Sequence, residues 1–387
     1  MMSKARKGLS GIVRRGGLLF FLLCLTVVHD VNAQAFAEKE VVITGVDKVG
    51  HGTMQLVGTL TYPIGVSGKV PTVILITGSG AQNRDEEIMG HRPFKVIAEY
   101  LSARGYAVLR CDDRGVGGST GDIVHATVLD FATDVEYQLD YLKSMVELSI
   151  DPRRFFLFGH SEGATVAAIV ASRRSDVAGV AMLGGAAVDG KTLLLQQNRT
   201  IFHQQGLADS LVEKRLACMR ELFNVCDTLA LGDGVDTVKT INLAFRPLFE
   251  KHSQGLTKEQ KQQCGLTNVE CYGWAVTVAT PWMRMFLALN PADYITKMRC
   301  PLLALGGDKD CQVPAEENLR IISAICKQSD LPYNVILLTG INHLGQVCHT
   351  GAVDEYATLG QAPDESVLSA LTQWLDSISS QSERTKN

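Results

Sequence analysis

Ser161 sits where one kind of chain gives way to another. In "FFLFGHSEGATVAAIVASRR", residues 155–174, bulky apolar residues precede it and small residues at helical spacing follow it. Gly159 and Gly163 lie two positions to either side. GHSEG fits G-x-S-x-G, the signature of a serine lifted on a tight strand-to-helix turn. Only a residue as small as Gly or Ala fits where that turn presses its flanks together. The first N–H groups of the helix then aim at whatever reacts beside the hydroxyl. A lone hydroxyl is a weak nucleophile, so it requires a base, and the base requires an orienting carboxylate.

In this arrangement the acid and then the histidine follow the serine, each just behind a strand. "LLALGGDKDCQVP" supplies Asp308 and Asp310. Asp310 is the preferred acid, because it fits G-x-x-D-x-x-V-P and leaves Asp308 in the turn, where Asp commonly caps backbone groups. "VILLTGINHLG" supplies His343. His160 lies inside the turn, His349 is farther from the strand end, and His91, His125, His203 and His252 precede the acid. An oxyanion needs two donors. The backbone N–H of Glu162 is one candidate, and that of Ser79 or Gly80, in "TGSGAQNRD", is the other.

The elements that must carry these residues can be read from periodicity. Residues 38–63 read as two strands joined by "DKVGHG". Apolar strand runs then alternate with amphipathic helices up to "VAGVAMLGG", which predicts a mostly parallel sheet covered on both faces. Between roughly 190 and 295 the patterns are helical only. Leu211, Val212, Leu216, Met219, Leu222 and Phe223 fall on one helix face. Strand and helix alternate again after that. The division is a signal peptide over 1–33, a first core segment over 34–189, a helical cap over 190–295 between strands 6 and 7, and a second core segment over 296–387.

The Gly-rich "DDRGVGGSTG", residues 112–121, misses the dinucleotide fingerprint because Thr120 stands where its third Gly belongs. It reads as a structural loop whose Asp and Arg pair near the floor of the site. "GSGAQN" fails the same test at Asn83, and neither a Walker sequence nor HExxH occurs. No cofactor and no metal are expected.

Charged residues make up 20% and hydrophobic ones 46% of the 387 residues, a globular balance. Lys4, Arg6, Lys7, Arg14 and Arg15 precede "GGLLFFLLCLTVV" and a small-residue site ending at Ala33, which predicts export to the periplasm or beyond. Loss of those five basic residues and one acidic residue moves the net charge from −4 to −8. A chain so acidic is a poor partner for nucleic acid. No later run is long and apolar enough for a stable membrane span. Nine cysteines remain beyond Cys24, and Cys264–Cys271 and Cys311–Cys348 are the candidate bridges, with buried thiols the competing reading for Cys111 and Cys300. Oligomeric state stays open.

In order along the chain stand "GSGAQNRD", "DDRGVGGS", "GHSEG", "GDKDCQVP" and "NHL". With these motifs the chain resembles the α/β-hydrolase superfamily, and more narrowly its secreted bacterial esterase-like members with a helical cap, some related to prolyl-aminopeptidase-type serine peptidases. Ala81 and Asn83 depart from the Pro and Asp that such relatives often carry. The resemblance implies an eight-stranded α/β-hydrolase fold and a serine hydrolase acting on a small-molecule carboxylic ester through Ser161, Asp310 and His343. A serine aminopeptidase is the second reading. It would want a cap carboxylate cluster for a free amine, for which Glu213, Glu221 and Glu250 are available. A noncatalytic binding protein on the same scaffold is a third. Trp274, Trp282, Met283, Met285 and Phe286 lie where a cap would cover the strand ends, and one or two are expected to line the pocket.

Overall fold

The computed structural model describes residues 35–145, 147–229 and 235–384. The segment read as a signal peptide lies outside them. Nine elements form the first core segment: β1 (Phe36–Asp47), β2 (Gly52–Pro63), β3 (Val70–Ile76), α1 (Pro93–Ser102), β4 (Ala107–Cys111), α2 (Val128–Ser144), β5 (Ile150–His160), α3 (Glu162–Arg173) and β6 (Val177–Leu183). Helices then run without a strand: α4 (Gly190–Gln204), α5 (Asp209–Thr228), α6 (Val235–Ser253), α7 (Lys258–Gln263), α8 (Asn268–Ala279), α9 (Pro281–Ala288) and α10 (Ala292–Ile295). The chain returns through β7 (Leu302–Gly307), α11 (Ala315–Gln328), β8 (Tyr333–Leu338) and α12 (Glu365–Arg384).

One eight-stranded sheet has the order β1-β2-β4-β3-β5-β6-β7-β8. β2 runs antiparallel to both β1 and β4, and the remaining pairings are parallel. Sequence pattern follows position. The edge strand β1 alternates buried and exposed residues along its second half, whereas β3, β4 and β7 are buried throughout because helices cover both faces. α2, α3 and α11 pack one apolar layer on the sheet, and α1 and α12 pack the other. Helices α5, α6, α8 and α9 bury a third cluster, in which the face Leu211, Val212, Leu216, Met219, Leu222 and Phe223 takes part.

The chain leaves β3 for β4 on one side and then for β5 on the other. Such a reversal opens a crevice at the carboxyl ends of the two strands. The loop after β3 and the turn after β5 flank it, and Ser161 is the first residue past β5.

The two candidate bridges do not form. Cys264, Cys271, Cys311 and Cys348 are free thiols, as are the other five described cysteines. Cys264 and Cys271 point into the apolar cluster of the helical segment, and the Cys348 Sγ donates to the Gly340 carbonyl at 3.5 Å. Burial pushes the Cys311 thiol up to about 11.

Candidate active site

Ser161 has φ 54° and ψ −119°, a left-handed backbone that L-residues adopt under constraint. The constraint is visible at the two glycines. A Cβ on Gly163 would lie 2.1 Å from the Ile76 carbonyl oxygen, and one on Gly159 would lie 2.2 Å from the Gly163 carbonyl oxygen. Side chains are excluded at both positions, so β3, β5 and α3 can converge on the serine. Its own N–H donates to the Leu183 carbonyl at 2.9 Å, which ties the turn to β6.

Asp310 and His343 come together from the loops after β7 and β8. His343 Nδ1 is 2.7 Å from Asp310 Oδ2, and both residues are buried. Asp310 Oδ1 accepts from the Gln312 and Val313 N–H groups at 2.8 Å each, so the carboxylate is fixed on both oxygens. With Nδ1 committed, Nε2 is the ring atom left for the cavity that His343 and Ser161 both line. Asp308 instead accepts from the Gly340 N–H at 2.7 Å and caps the turn. Gly184, at the end of β6, presses on this dyad. Its φ is 61°, and a Cβ there would stand 2.9 Å from His343 Nδ1 and 3.3 Å from Asp310 Oδ2.

Glu162 opens α3, where the first N–H groups have no intrahelical acceptor. Across the crevice Ser79 lines the cavity, while Gly80, the alternative considered from sequence, lines a neighbouring pocket. The Glu162 side chain also faces the cavity. It accepts from Trp282 Nε1 at 2.8 Å, and Ser79 lines the same cavity. Burial nevertheless pushes its carboxyl up to about 7.

Asp112 and Arg114 each form an ion pair, though not with each other. Asp112 holds Arg84 at 2.8 Å, and Arg114 holds Asp134 at 2.7 Å and Asp47 at 3.2 Å. The two side chains face different neighbours, so their charges reach different elements. Between them Asp113 accepts from the Thr77 hydroxyl at 2.7 Å and the Gln82 N–H at 2.9 Å, which anchors both ends of the loop carrying Ser79. Burial pushes Asp113 up to about 7.

The cavity measures about 370 Å³, within the usual range of small-molecule pockets. Leu193 and Leu194 from α4, and Trp282, Met283 and Phe286 from α9, form its roof. Trp274 and Met285 do not reach it. Trp274 stacks on Phe245 inside the helical segment, and Met285 packs on the sheet layer. Three of the five cap residues therefore line the pocket, against the one or two expected. Glu213, Glu221 and Glu250 do not line it; Glu213 pairs with Arg199 instead. Among the described residues no group of three or more His, Cys, Asp or Glu side chains is arranged to hold a metal ion. Nor is any helix there long and apolar enough to cross a membrane.

Residues 91–331 match the family described as serine aminopeptidase, S33. The chain belongs to that family. In this S33 chain the matched span runs from the residues before α1 to just past α11, so it contains Ser161 and Asp310 and stops before His343. Esterase EstD of Thermotoga maritima is 32% identical over 193 residues, which span 50% of this chain and 42% of EstD. The chain thus spans less than half the length of that relative. Among solved structures, DcsB in complex with its substrate analogue superposes with a TM-score of 0.50 at 17% identity, covering 88% of this chain and 99% of DcsB. That likeness concerns the fold, which is the α/β-hydrolase fold.

Sequence reading missed Glu86 and Gly184 near the dyad. Both meet residues far along the chain, Gly184 at His343 and Glu86 at His160, and neither belongs to a motif that names it.

Proposed function

We propose that the protein is a secreted or periplasmic serine hydrolase that cleaves small-molecule carboxylic esters, with Ser161 as nucleophile, His343 as base and Asp310 as orienting acid. The observation that carries this reading is the buried 2.7 Å Asp310–His343 contact, opening on the same apolar cavity as a serine held at φ 54°. His343 Nε2 takes the Ser161 proton as Oγ attacks the ester carbonyl, and Asp310 stabilises the imidazolium. The N–H groups of Glu162 and Ser79 receive the oxyanion. His343 then passes the proton to the leaving alkoxide, and the alcohol departs. Water attacks the acyl-enzyme with His343 again as base, which releases the acid and restores Ser161. An oxyanion donor of this kind is worth about 3 kcal/mol of barrier.

The cavity lining contains no Lys or Arg and is dominated by apolar side chains, which suits uncharged acyl groups of modest size. EstD, named an esterase, supports the same chemistry. The family description favours a second reading, removal of N-terminal residues from peptides. Glu162 is a carboxyl at the reacting centre that could meet a free amine, although Trp282 already occupies it. Turnover of short p-nitrophenyl esters and of aminoacyl anilides, each with Ser161→Ala as control, distinguishes the readings. Equal ester turnover by wild type and Ser161→Ala would overturn the triad assignment, and anilide turnover above ester turnover would favour the peptidase. For export, N-terminal sequencing of protein recovered outside the cytoplasm should begin near residue 34; a protein retained in the cytoplasm with an intact N-terminus would exclude it.

A further inference from the structure

Two buried residues beside the crevice take no part in the steps above. Glu86 is 1% exposed and has φ 50°, a conformation disfavoured for a residue with a side chain. Asn83 holds it there. Its carbonyl accepts from the Glu86 N–H at 2.9 Å, and its Oδ1 accepts from the N–H groups of Asp85 and Glu87 on either side. So placed, Glu86 Oε1 accepts from the Gly78 N–H at 2.6 Å, next to Ser79 in the loop after β3. The same oxygen is 2.9 Å from His160 Nδ1, and His160 Nε2 is 2.9 Å from the His343 carbonyl oxygen. Glu86 Oε2 is buried and has no hydrogen-bond partner among the described residues, so the carboxylate does all its bonding through one oxygen, to two elements.

The chain Gly78–Glu86–His160–His343 ties the loop after β3 to the segment after β8. His160 meets an oxygen at each ring nitrogen, the Glu86 carboxyl at Nδ1 and the His343 carbonyl at Nε2. Burial opposes a positive charge on the His160 ring and Glu86 favours one, with a net upward shift. The His160 and His343 rings stand 4.9 Å apart. The titratable groups around them are Glu86 before α1, Glu162 opening α3, and Asp310 after β7.

We propose that Glu86 and His160 are a positioning pair that locks the Ser79 loop to the His343 segment, keeping oxyanion donor and base in register with Ser161. The inference rests on the esterase reading of that site. Neither residue touches the reacting atoms; Glu86 acts through Gly78 and His160 acts through the His343 backbone.

The test is His160→Gln, assayed with a short p-nitrophenyl ester across pH. Loss of register raises the barrier without weakening ground-state binding, so kcat should fall about tenfold or more while KM stays within about threefold. The variant also takes the titratable ring away from the Glu86 carboxyl beside the dyad, and negative charge left without that partner favours the charged form of a neighbouring base. The acid limb of the kcat profile should therefore move to higher pH, and adding Glu86→Gln should bring it back while kcat stays low. A purely structural pin would lower the folded fraction and leave KM and the limb unmoved. A kcat within about threefold of wild type, or an unmoved limb, overturns the proposal. If His160→Gln is not recovered folded, Glu86→Gln alone takes its place. It should lower kcat about tenfold with no upward move of the limb, and a kcat within about threefold of wild type overturns the proposal again. Ser161→Ala keeps the two readings apart. Wild-type turnover by Ser161→Ala removes the esterase reading, whereas its inactivity beside an unaffected His160→Gln removes only the pair.

Discussion

At the strand ends, Asp310, His343, His160 and Glu86 each make at least two hydrogen bonds, all to partners in the sheet layer or its loops. Above them the helical segment reaches the cavity mainly with apolar side chains, among them Leu193, Met283 and Phe286, and with the Trp282 indole. The floor is directional and over-determined, and the roof is greasy and bonded to it at the site through Trp282 and Glu162. Directional contacts hold reacting atoms to fractions of an ångström, which chemistry requires. Apolar contacts fill space and exclude water, which selection among substrates requires. Changes to the floor should therefore alter kcat, and changes to the roof should alter KM and substrate preference.

The largest effect tests the floor directly. Ser161→Ala should lose about 10⁴-fold or more in kcat, and Asp310→Asn about as much, because the amide cannot hold the imidazolium. Steady-state ester hydrolysis measures both, and an active Asp310→Asn enzyme would return the acid role to Asp308.

Next comes Gly184→Ala. The added Cβ meets His343 Nδ1 at 2.9 Å on a backbone with φ 61°. The dyad must shift, and kcat should fall about 10- to 100-fold with KM little changed. A left-handed alanine should also cost about 1 kcal/mol in denaturant unfolding. Unaltered kcat would show that the dyad tolerates displacement.

Trp282→Phe keeps an aromatic ring in the roof and removes the N–H that Glu162 accepts. The expected result is a change of a few-fold in KM and in preference among acyl lengths, with kcat for the shortest ester within about threefold. A kcat loss as large as that of Gly184→Ala would break the division between floor and roof.

The smallest effect is a slope. Glu162 titrates near 7 in the folded chain against an ordinary 4.5, raised by burial. A raised value means that the folded state holds its proton longer than the unfolded state does. The stabilisation is complete below about pH 4.5 and is lost as pH rises through about 7. Glu162→Gln lacks this titration, so its Tm should gain on wild type across that window and run parallel above it. A Tm difference independent of pH would mean that Glu162 is not desolvated where it meets the roof.

Much of the floor was legible from residues alone, because local rules govern it. Steric closure of a strand-to-helix turn dictates glycines two positions from Ser161, and burial on both faces dictates apolar strand runs. Asp308, which caps the turn, and Asp310, which meets His343, could be told apart two positions from each other. The roof was legible as helices and as one buried face of α5. Which of its aromatics would line the cavity was not legible, since Trp274 and Trp282 carry the same local signal and face different neighbours.

The sequence by itself determined the alternation of strand and helix, the helical interruption after β6, and the placing of Ser161, Asp310 and His343 just behind strands, because each depends on periodicity or on neighbours a few residues away. Tertiary structure decided the rest. Glu86 meets His160 across 74 residues and Trp282 meets Glu162 across 120. Gly184 matters because loops from β7 and β8 happen to close over it. The expected disulfides failed for the same reason. Spacing along a chain does not say which way a thiol points, and here folding turned Cys264 and Cys271 into the apolar interior of the helical segment.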